Sequence, residues 1–224
     1  MKKLILITLG LFVTTLVLGQ KNKKFYDSLG NETTFELHWS QVVGGRYKSI
    51  YDKKTNSKTL VRTTDKDFKE ELSKTEKRII KKKKLGTDFP DFIMTDIDGN
   101  TVSKRELKGK VTVINFWFVG CSPCEMERPE LNGLANLYEA NENVVFISFA
   151  KNDTEQLRSF LTDHPFKFKP IPTGKDEIKI KFEIDSYPVT VIVDKEGKYS
   201  FYGTGTGIGI SYILKREIEF ALNR

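Results

Sequence analysis

The chain has 224 residues, 38% of them hydrophobic, a formal net charge of +7 and only two cysteines. That length supports one large domain, or one ordinary domain with an appendage, and a core large enough to fold without disulfide staples. Two cysteines exclude a disulfide-dense scaffold and any zinc site of Cys₄ or Cys₃His type, and His38 and His164 alone are a poor basis for a His-rich site, so no metal is expected.

Met1-Lys2-Lys3 is a short positive segment, and Leu4 to Leu18 is an apolar run without charge. It is short for a membrane span, which needs roughly 20 residues. Gly19, with Val17 two positions earlier, offers a cleavage site ahead of Gln20, so residues 1–19 read as a secretory signal peptide. This places the mature protein in the periplasm or another extracytoplasmic space. Left uncleaved, the segment would instead tether the protein to a membrane. No cysteine follows it to carry a lipid anchor.

Residues 20–86 form a basic N-terminal appendage, with 18 Lys/Arg against 9 Asp/Glu over residues 21–86. Phe35-Glu36-Leu37-His38-Trp39 and Tyr47-Lys48-Ser49-Ile50-Tyr51 alternate apolar and polar positions and read as strands. Asp52 to Ser57 reads as a turn leading into a strand at Thr59–Arg62. Asp65 to Lys84 has helix-forming composition, with Phe68, Leu72 and Ile79-Ile80 on one stripe, and ends in four lysines. Such a run is ordinarily a solvated helix end, and contact with an anionic surface is the alternative.

From residue 87 the balance reverses, with 17 Lys/Arg against 21 Asp/Glu. The positive charge is therefore no nucleic-acid footprint, and no nucleic acid is expected as a partner. Phe89–Met94 and Thr101-Val102 flank the turn Asp98-Gly99-Asn100 as a hairpin, and Ser103 is placed to cap a short helix ending at Gly109. Val111–Val119 is an apolar, β-branched run suited to a strand buried on both faces. A helix to about Asn141, a strand at Val144–Ala150, a helix capped by Asp153 or Thr154, a strand near Phe168–Ile171 and a helix at Asp176–Phe182 follow. Val189–Val193 and Tyr199–Tyr202 form a second hairpin, and Ser211–Leu222 closes the chain as a helix. The fold class is α/β: a mixed central sheet covered by helices on both faces, with a small β/α appendage. Gly203, Gly205, Gly207 and Gly209 lack the context of a phosphate-binding loop and read as a loop before the last helix.

Gly120-Cys121-Ser122-Pro123-Cys124 sits where the central strand meets the next helix. There, unpaired N–H groups and the helix dipole favour a thiolate at Cys121; thiols in such settings fall from about 8.5 toward 3.5–7.5. Cys124 lies one turn on, on the same face and within disulfide reach. Pro123 is tolerated in a first turn. As a passive staple the pair would be weak, because closing a four-residue loop stabilises by only about 2 kcal/mol against about 4.7 for a 100-residue loop. Redox chemistry is the reading these residues favour. Glu127, at i+3 from Cys124, is within reach of the thiol pair, and Pro129 is expected to kink the helix.

With these residues in view, 87–224 resembles the thioredoxin-like fold, and specifically the extracytoplasmic thiol–disulfide oxidoreductases of the TlpA/ResA type. The resemblance rests on Asn115-Phe116-Trp117, on Cys121-Ser122-Pro123-Cys124, on Glu127 and Pro129, and on Tyr187-Pro188-Val189-Thr190 running into Val191-Ile192-Val193-Asp194. It implies that Pro188 is cis and faces the two cysteines, and that the backbone of Tyr187 pairs with substrate peptide. It further implies that Glu127 tunes the thiols and relays a proton, with Trp117 and Pro123 supporting the site. Asn115 stands where cytosolic thioredoxins have a buried Asp, and Gly120 where a tryptophan usually precedes the first cysteine.

The resulting expectation is an exported disulfide reductase. Its partners would be disulfide-bearing proteins and a membrane thiol electron donor, and it would need no cofactor beyond the Cys121–Cys124 pair. Two rivals remain. One is a peroxiredoxin-like peroxidase, disfavoured because Phe118 holds the place of the Thr or Ser that orients peroxide. The other is a cell-envelope binding module working through the basic appendage.

Overall fold

The computed structural model describes residues 23–224, so the segment expected as an export signal lies outside the described residues. The chain begins with strands β1 (Lys24–Tyr26) and β2 (Glu32–Thr33), helix α1 (Phe35–Val43), and strands β3 (Tyr47–Asp52) and β4 (Ser57–Arg62). The four strands make one small sheet in the order β2-β1-β4-β3, with β1 and β4 parallel and the other pairs antiparallel.

The stretch Phe35–Trp39, expected as a strand, is the start of α1. Thr34 caps it by accepting the Leu37 N–H at 3.2 Å. Among its described side chains the buried ones are His38, Ser40, Val42 and Val43. Ser40 donates to the Leu37 carbonyl at 2.9 Å, and Val42 and Val43, four and five positions after His38, complete a helix face that a five-residue window cannot reach. His38 is satisfied inside this unit by the Tyr26 carbonyl and the Ser49 hydroxyl.

Helix α2 (Asp65–Ile79) ends five residues short of the expected Lys84. Ile80 turns extended and bridges to Gly203, and the Lys81 N–H donates to the Tyr202 carbonyl. Lys84 is not simply solvated: its ammonium pairs with Glu183 at 2.9 Å and donates to the Phe182 carbonyl at 3.2 Å.

Beyond lie the hairpin β5 (Ile93–Thr95) and β6 (Thr101–Ser103), then β7 (Val111–Trp117), α3 (Ser122–Leu137), β8 (Val144–Ala150) and α4 (Thr154–Asp163). They are followed by β9 (Lys169–Pro172), α5 (Lys175–Phe182), β10 (Val189–Val193), β11 (Tyr199–Thr204) and α6 (Ile210–Leu222). The short helix expected between Ser103 and Gly109 is a series of turns. Its backbone bonds run i to i+3, as from Glu106 N–H to the Ser103 carbonyl, and Gly109 then leaves to bond Lys195.

The main sheet has the order β11-β10-β7-β8-β9, with β7, β8 and β9 parallel and β10 and β11 antiparallel to their neighbours. Every residue of β7 is buried, as a central strand covered on both faces requires. Alternate side chains feed two cores. Val111 and Val113 face Leu131, Leu134, Ile213 and Leu214 of α3 and α6. Ile114 and Phe116 face an aromatic cluster with Phe89, Phe92, Phe149 and Phe182.

The N-terminal unit is joined to the first of these cores through Ile79, which is fully buried there. The glycine-rich loop makes this contact close. A Cβ at Gly207 would lie 2.8 Å from Thr75 Cγ2, and one at Gly209 would lie 2.7 Å from Leu72 Cδ1. These glycines admit α2, and no ligand is needed to explain them.

Candidate active site

Cys121 is the N-cap of α3, at the end of β7, and is disulfide-bonded to Cys124, with a Cα–Cα distance of 5.3 Å. No side chain makes a capping hydrogen bond at this helix start, so its first-turn N–H groups are left without a side-chain acceptor from the cap residue. Pro123 is the second residue of α3, where its missing N–H removes no helical bond. The helix continues unbroken through Pro129 to Leu137. Gly120 has φ +87°, in the left-handed region, and its N–H donates to Glu125 Oε1 at 3.0 Å. A tryptophan would be strained in this backbone conformation, although the space around it is open.

Both cysteines are 4% exposed, so exposure does not distinguish them. Their surroundings do. Cys121 lines a groove of about 690 Å³ together with Phe118, Pro123, Lys151 and Tyr187. Cys124 lines a crevice too tight for water, with Asn115, Trp117, Arg128 and Phe166. Trp117 is buried against Phe160 and Phe166, forming a wall beside that crevice. On the groove side the Tyr187–Pro188 bond is cis. Tyr187 meets Phe118 edge to face at 5.4 Å, and the Pro188 carbonyl accepts from Gly205 N–H at 2.7 Å. Among the described residues no hydrogen bond within the protein engages the backbone N–H or C=O of Tyr187.

Glu127 lies one turn beyond Cys124 on α3 and is 1% exposed. Its Oε1 accepts from Asn115 Nδ2 at 3.1 Å, and the same amide donates to Thr190 Oγ1 at 2.9 Å. Asn115 and Thr190 face each other across β7 and β10, so the sheet register builds this network. Desolvation pushes the Glu127 pKa up to about 8, while the Thr206 hydroxyl and the Asn115 amide pull the other way. Oε2 of Glu127 and Oγ1 of Thr206 are both buried without a completed hydrogen bond. A buried carboxyl left partly unsatisfied and close to neutrality is suited to proton transfer.

The sequence pointed to Glu127 but not to its supports. Asn115 was legible only as a missing acid; in place it supplies a donor where an aspartate would set a second carboxylate against Glu127. Thr190 stood in the Tyr187-Pro188-Val189-Thr190 motif with no role attached, and Thr206 carries no motif signal, because strand pairing and the loop before α6 bring them in. Among the described residues no cluster of three or more potential metal ligands occurs.

Residues 85–200 match the AhpC/TSA family. The chain belongs to that family. It is 32% identical over 119 residues to the thiol–disulfide oxidoreductase ResA of Bacillus cereus, covering 52% of this chain and 68% of the relative. It is 31% identical over 140 residues to the thioredoxin-like protein YneN of Bacillus subtilis, covering 62% of this chain and 78% of YneN. Among solved structures it is similar to a secreted disulfide oxidoreductase of Mycobacterium tuberculosis homologous to E. coli DsbE. That match has a TM-score of 0.50 at 24% identity, with 58% of this chain and 95% of that chain covered, and it bears on the fold alone. The protein is a thioredoxin-like thiol–disulfide oxidoreductase of the ResA type, with Cys121 and Cys124 as its CxxC pair. The N-terminal sheet and α1 precede the family match.

Proposed function

We propose that this ResA-type oxidoreductase is exported and works in the reducing direction on protein disulfides, with Cys121 as the attacking thiol and Cys124 as the resolving one. The observation that carries the assignment is that Cys121 lines the open groove while Cys124 lines the closed crevice. In the reduced protein the Cys121 thiolate attacks one sulfur of a substrate disulfide. An S–S bond forms between Cys121 and the substrate, and the other substrate sulfur leaves as a thiolate and takes a proton. The Cys124 thiolate then attacks the Cys121 sulfur, releasing the second substrate thiol. The substrate gains two electrons and two protons, and the Cys121–Cys124 disulfide remains.

Glu127 is the residue we assign to the proton movements at Cys124, since it is buried one turn away and held near neutrality. The free backbone of Tyr187 suits pairing with an extended substrate strand, in the manner of strand addition. Pro123 and Trp117 hold the helix start and the crevice wall. Residues 1–19 support export, and re-reduction of the Cys121–Cys124 disulfide then calls for a membrane thiol carrier as electron donor; left uncleaved, the same segment would hold the protein at the membrane.

A redox titration against glutathione tests the direction. The expected potential lies nearer the thioredoxin value of about −270 mV than the DsbA value of about −120 mV, and an oxidising value would reverse the assignment. The AhpC/TSA match favours a peroxidase as the second reading. Phe118, three residues before Cys121, offers no hydroxyl to orient peroxide. Rapid Cys121-dependent peroxide turnover would establish that second reading in place of the first.

A further inference from the structure

The groove beside Cys121 carries a charge pattern opposite to that of the domain around it. Residues 87–224 hold more acids than bases, 21 against 17. Yet the groove is lined by Lys151, Lys175 and Lys179, with Asp185 as its one carboxylate. Among the described residues none of these three lysines is in an ion pair, whereas the neighbouring Lys181 is paired with Glu177 at 3.1 Å and Lys84 with Glu183. Lys175 and Lys179 are exposed and one turn apart on α5, so their side chains share a face.

Lys151 differs from an ordinary mobile surface lysine. It is half-buried, with its ammonium 3.9 Å from the Phe118 ring centroid and 5.1 Å from that of Tyr187. The two rings also pack on each other. A cation held over aromatic faces has already lost much of its side-chain freedom, so a further contact costs less to form. The nearest acid on the helix that carries the cysteines, Glu125, is engaged by the Gly120 N–H and lies on the crevice side.

We infer that this groove selects its substrates by charge: it fits peptide disulfides flanked by acidic residues, whose carboxylates are received by Lys151, Lys175 and Lys179 while the Tyr187 backbone pairs with the peptide chain. The inference rests on the assignment of Cys121 as attacking thiol and names the substrate class of that site. The attraction acts on encounter and binding, and salt weakens it because Lys175 and Lys179 are solvent-exposed.

The test uses the full chain, reduced with dithiothreitol and freed of it, and three synthetic peptides carrying the same internal disulfide flanked by Glu, Gln or Lys. Single-turnover reduction is followed by loss of the reduced Cys121–Cys124 pair. The Glu-flanked peptide is expected to react about tenfold faster than the Lys-flanked one at low ionic strength, with the gap closing at about 0.5 M salt. The double variant Lys175→Gln/Lys179→Gln should shrink the preference at low salt, and adding Lys151→Gln should abolish it. Equal rates for the three peptides, with all of them reduced, would overturn the charge selection and leave the thiol assignment standing. A faster Lys-flanked peptide would also overturn it. If no peptide is reduced at all, the assignment of Cys121 falls, and this inference with it.

Discussion

The two sulfurs of one disulfide, three residues apart in sequence, face opposite environments. On the Cys121 side lies an open groove with unpaired lysines and an unused strand of backbone at Tyr187. On the Cys124 side lies a dry crevice, and one turn further a buried carboxyl tied to Asn115. The contrast shows how a helix start divides labour. Position N-cap sets one sulfur against the open groove, while i+3 sets the second against the crevice beside the sheet, where desolvation can hold a proton. Substitutions on the open side should change rates with little effect on stability; those on the closed side should change stability and its pH dependence.

The largest effect is expected from Cys121→Ser, which should abolish disulfide reduction in a turnover assay. Loss of the four-residue cross-link should cost only about 2 kcal/mol in the oxidised protein, read by denaturant unfolding. If the variant keeps appreciable turnover, the division between the two cysteines is wrong.

Glu127→Gln probes the closed side. The folded-state pKa of Glu127 is raised from 4.5 to about 8, so above pH 4.5 the unfolded chain gives up a proton that the folded protein keeps. The unfolded state then binds fewer protons, and the stability slope with pH is negative. The favourable contribution is complete below pH 4.5 and is lost as pH rises toward about 8. Oxidised wild-type protein should thus lose several kcal/mol over this window relative to Glu127→Gln, measured as parallel unfolding curves from pH 4 to 9. Parallel pH profiles for the two proteins would show that the carboxyl is not held neutral.

Arg78→Ala is expected to be smaller. The Arg78 guanidinium donates to the Thr206 carbonyl at 2.7 Å, where α2 of the N-terminal unit meets the loop that carries Thr206. Its loss should cost about 1 kcal/mol. Any change in the pH profile of turnover would mean that the N-terminal unit reaches the closed side of the site through this loop. The smallest effect on stability belongs to the groove: Lys175→Gln/Lys179→Gln should leave unfolding within about 0.5 kcal/mol of wild type. A larger change would mean that these lysines hold the fold together.

Much of the fold was legible because β-branched runs and turn residues agree with the tertiary structure. Val144–Ala150 and Val189–Val193 are strands at the expected residues; the hairpin around Asp98-Gly99 also forms, but its first strand is Ile93–Thr95 rather than Phe89–Met94. Phe35–Trp39 misled because alternation over five residues fits either period, and Thr34 decided in favour of a helix. The turns after Ser103 carried a cap signal without the length to propagate a helix. At the site, the cysteines were legible from spacing and strand–helix position. The Asn115–Thr190 pair arises from strands 75 residues apart in sequence, and no local pattern reports it. Gly207 and Gly209 were legible as a loop before the last helix but not for their reason, the close approach of Thr75 and Leu72, which lies on a helix far back in the chain.

The central claim is that Cys121 receives the substrate and Cys124 releases it. Mixed-disulfide trapping tests this most directly, by incubating Cys124→Ser and Cys121→Ser proteins with a peptide disulfide and resolving the adducts on non-reducing gels with mass analysis. Cys124→Ser should accumulate a stable adduct on Cys121, and Cys121→Ser should accumulate little, because Cys124 faces the closed crevice. Equal trapping on both cysteines, or trapping on Cys124 alone, would contradict the account.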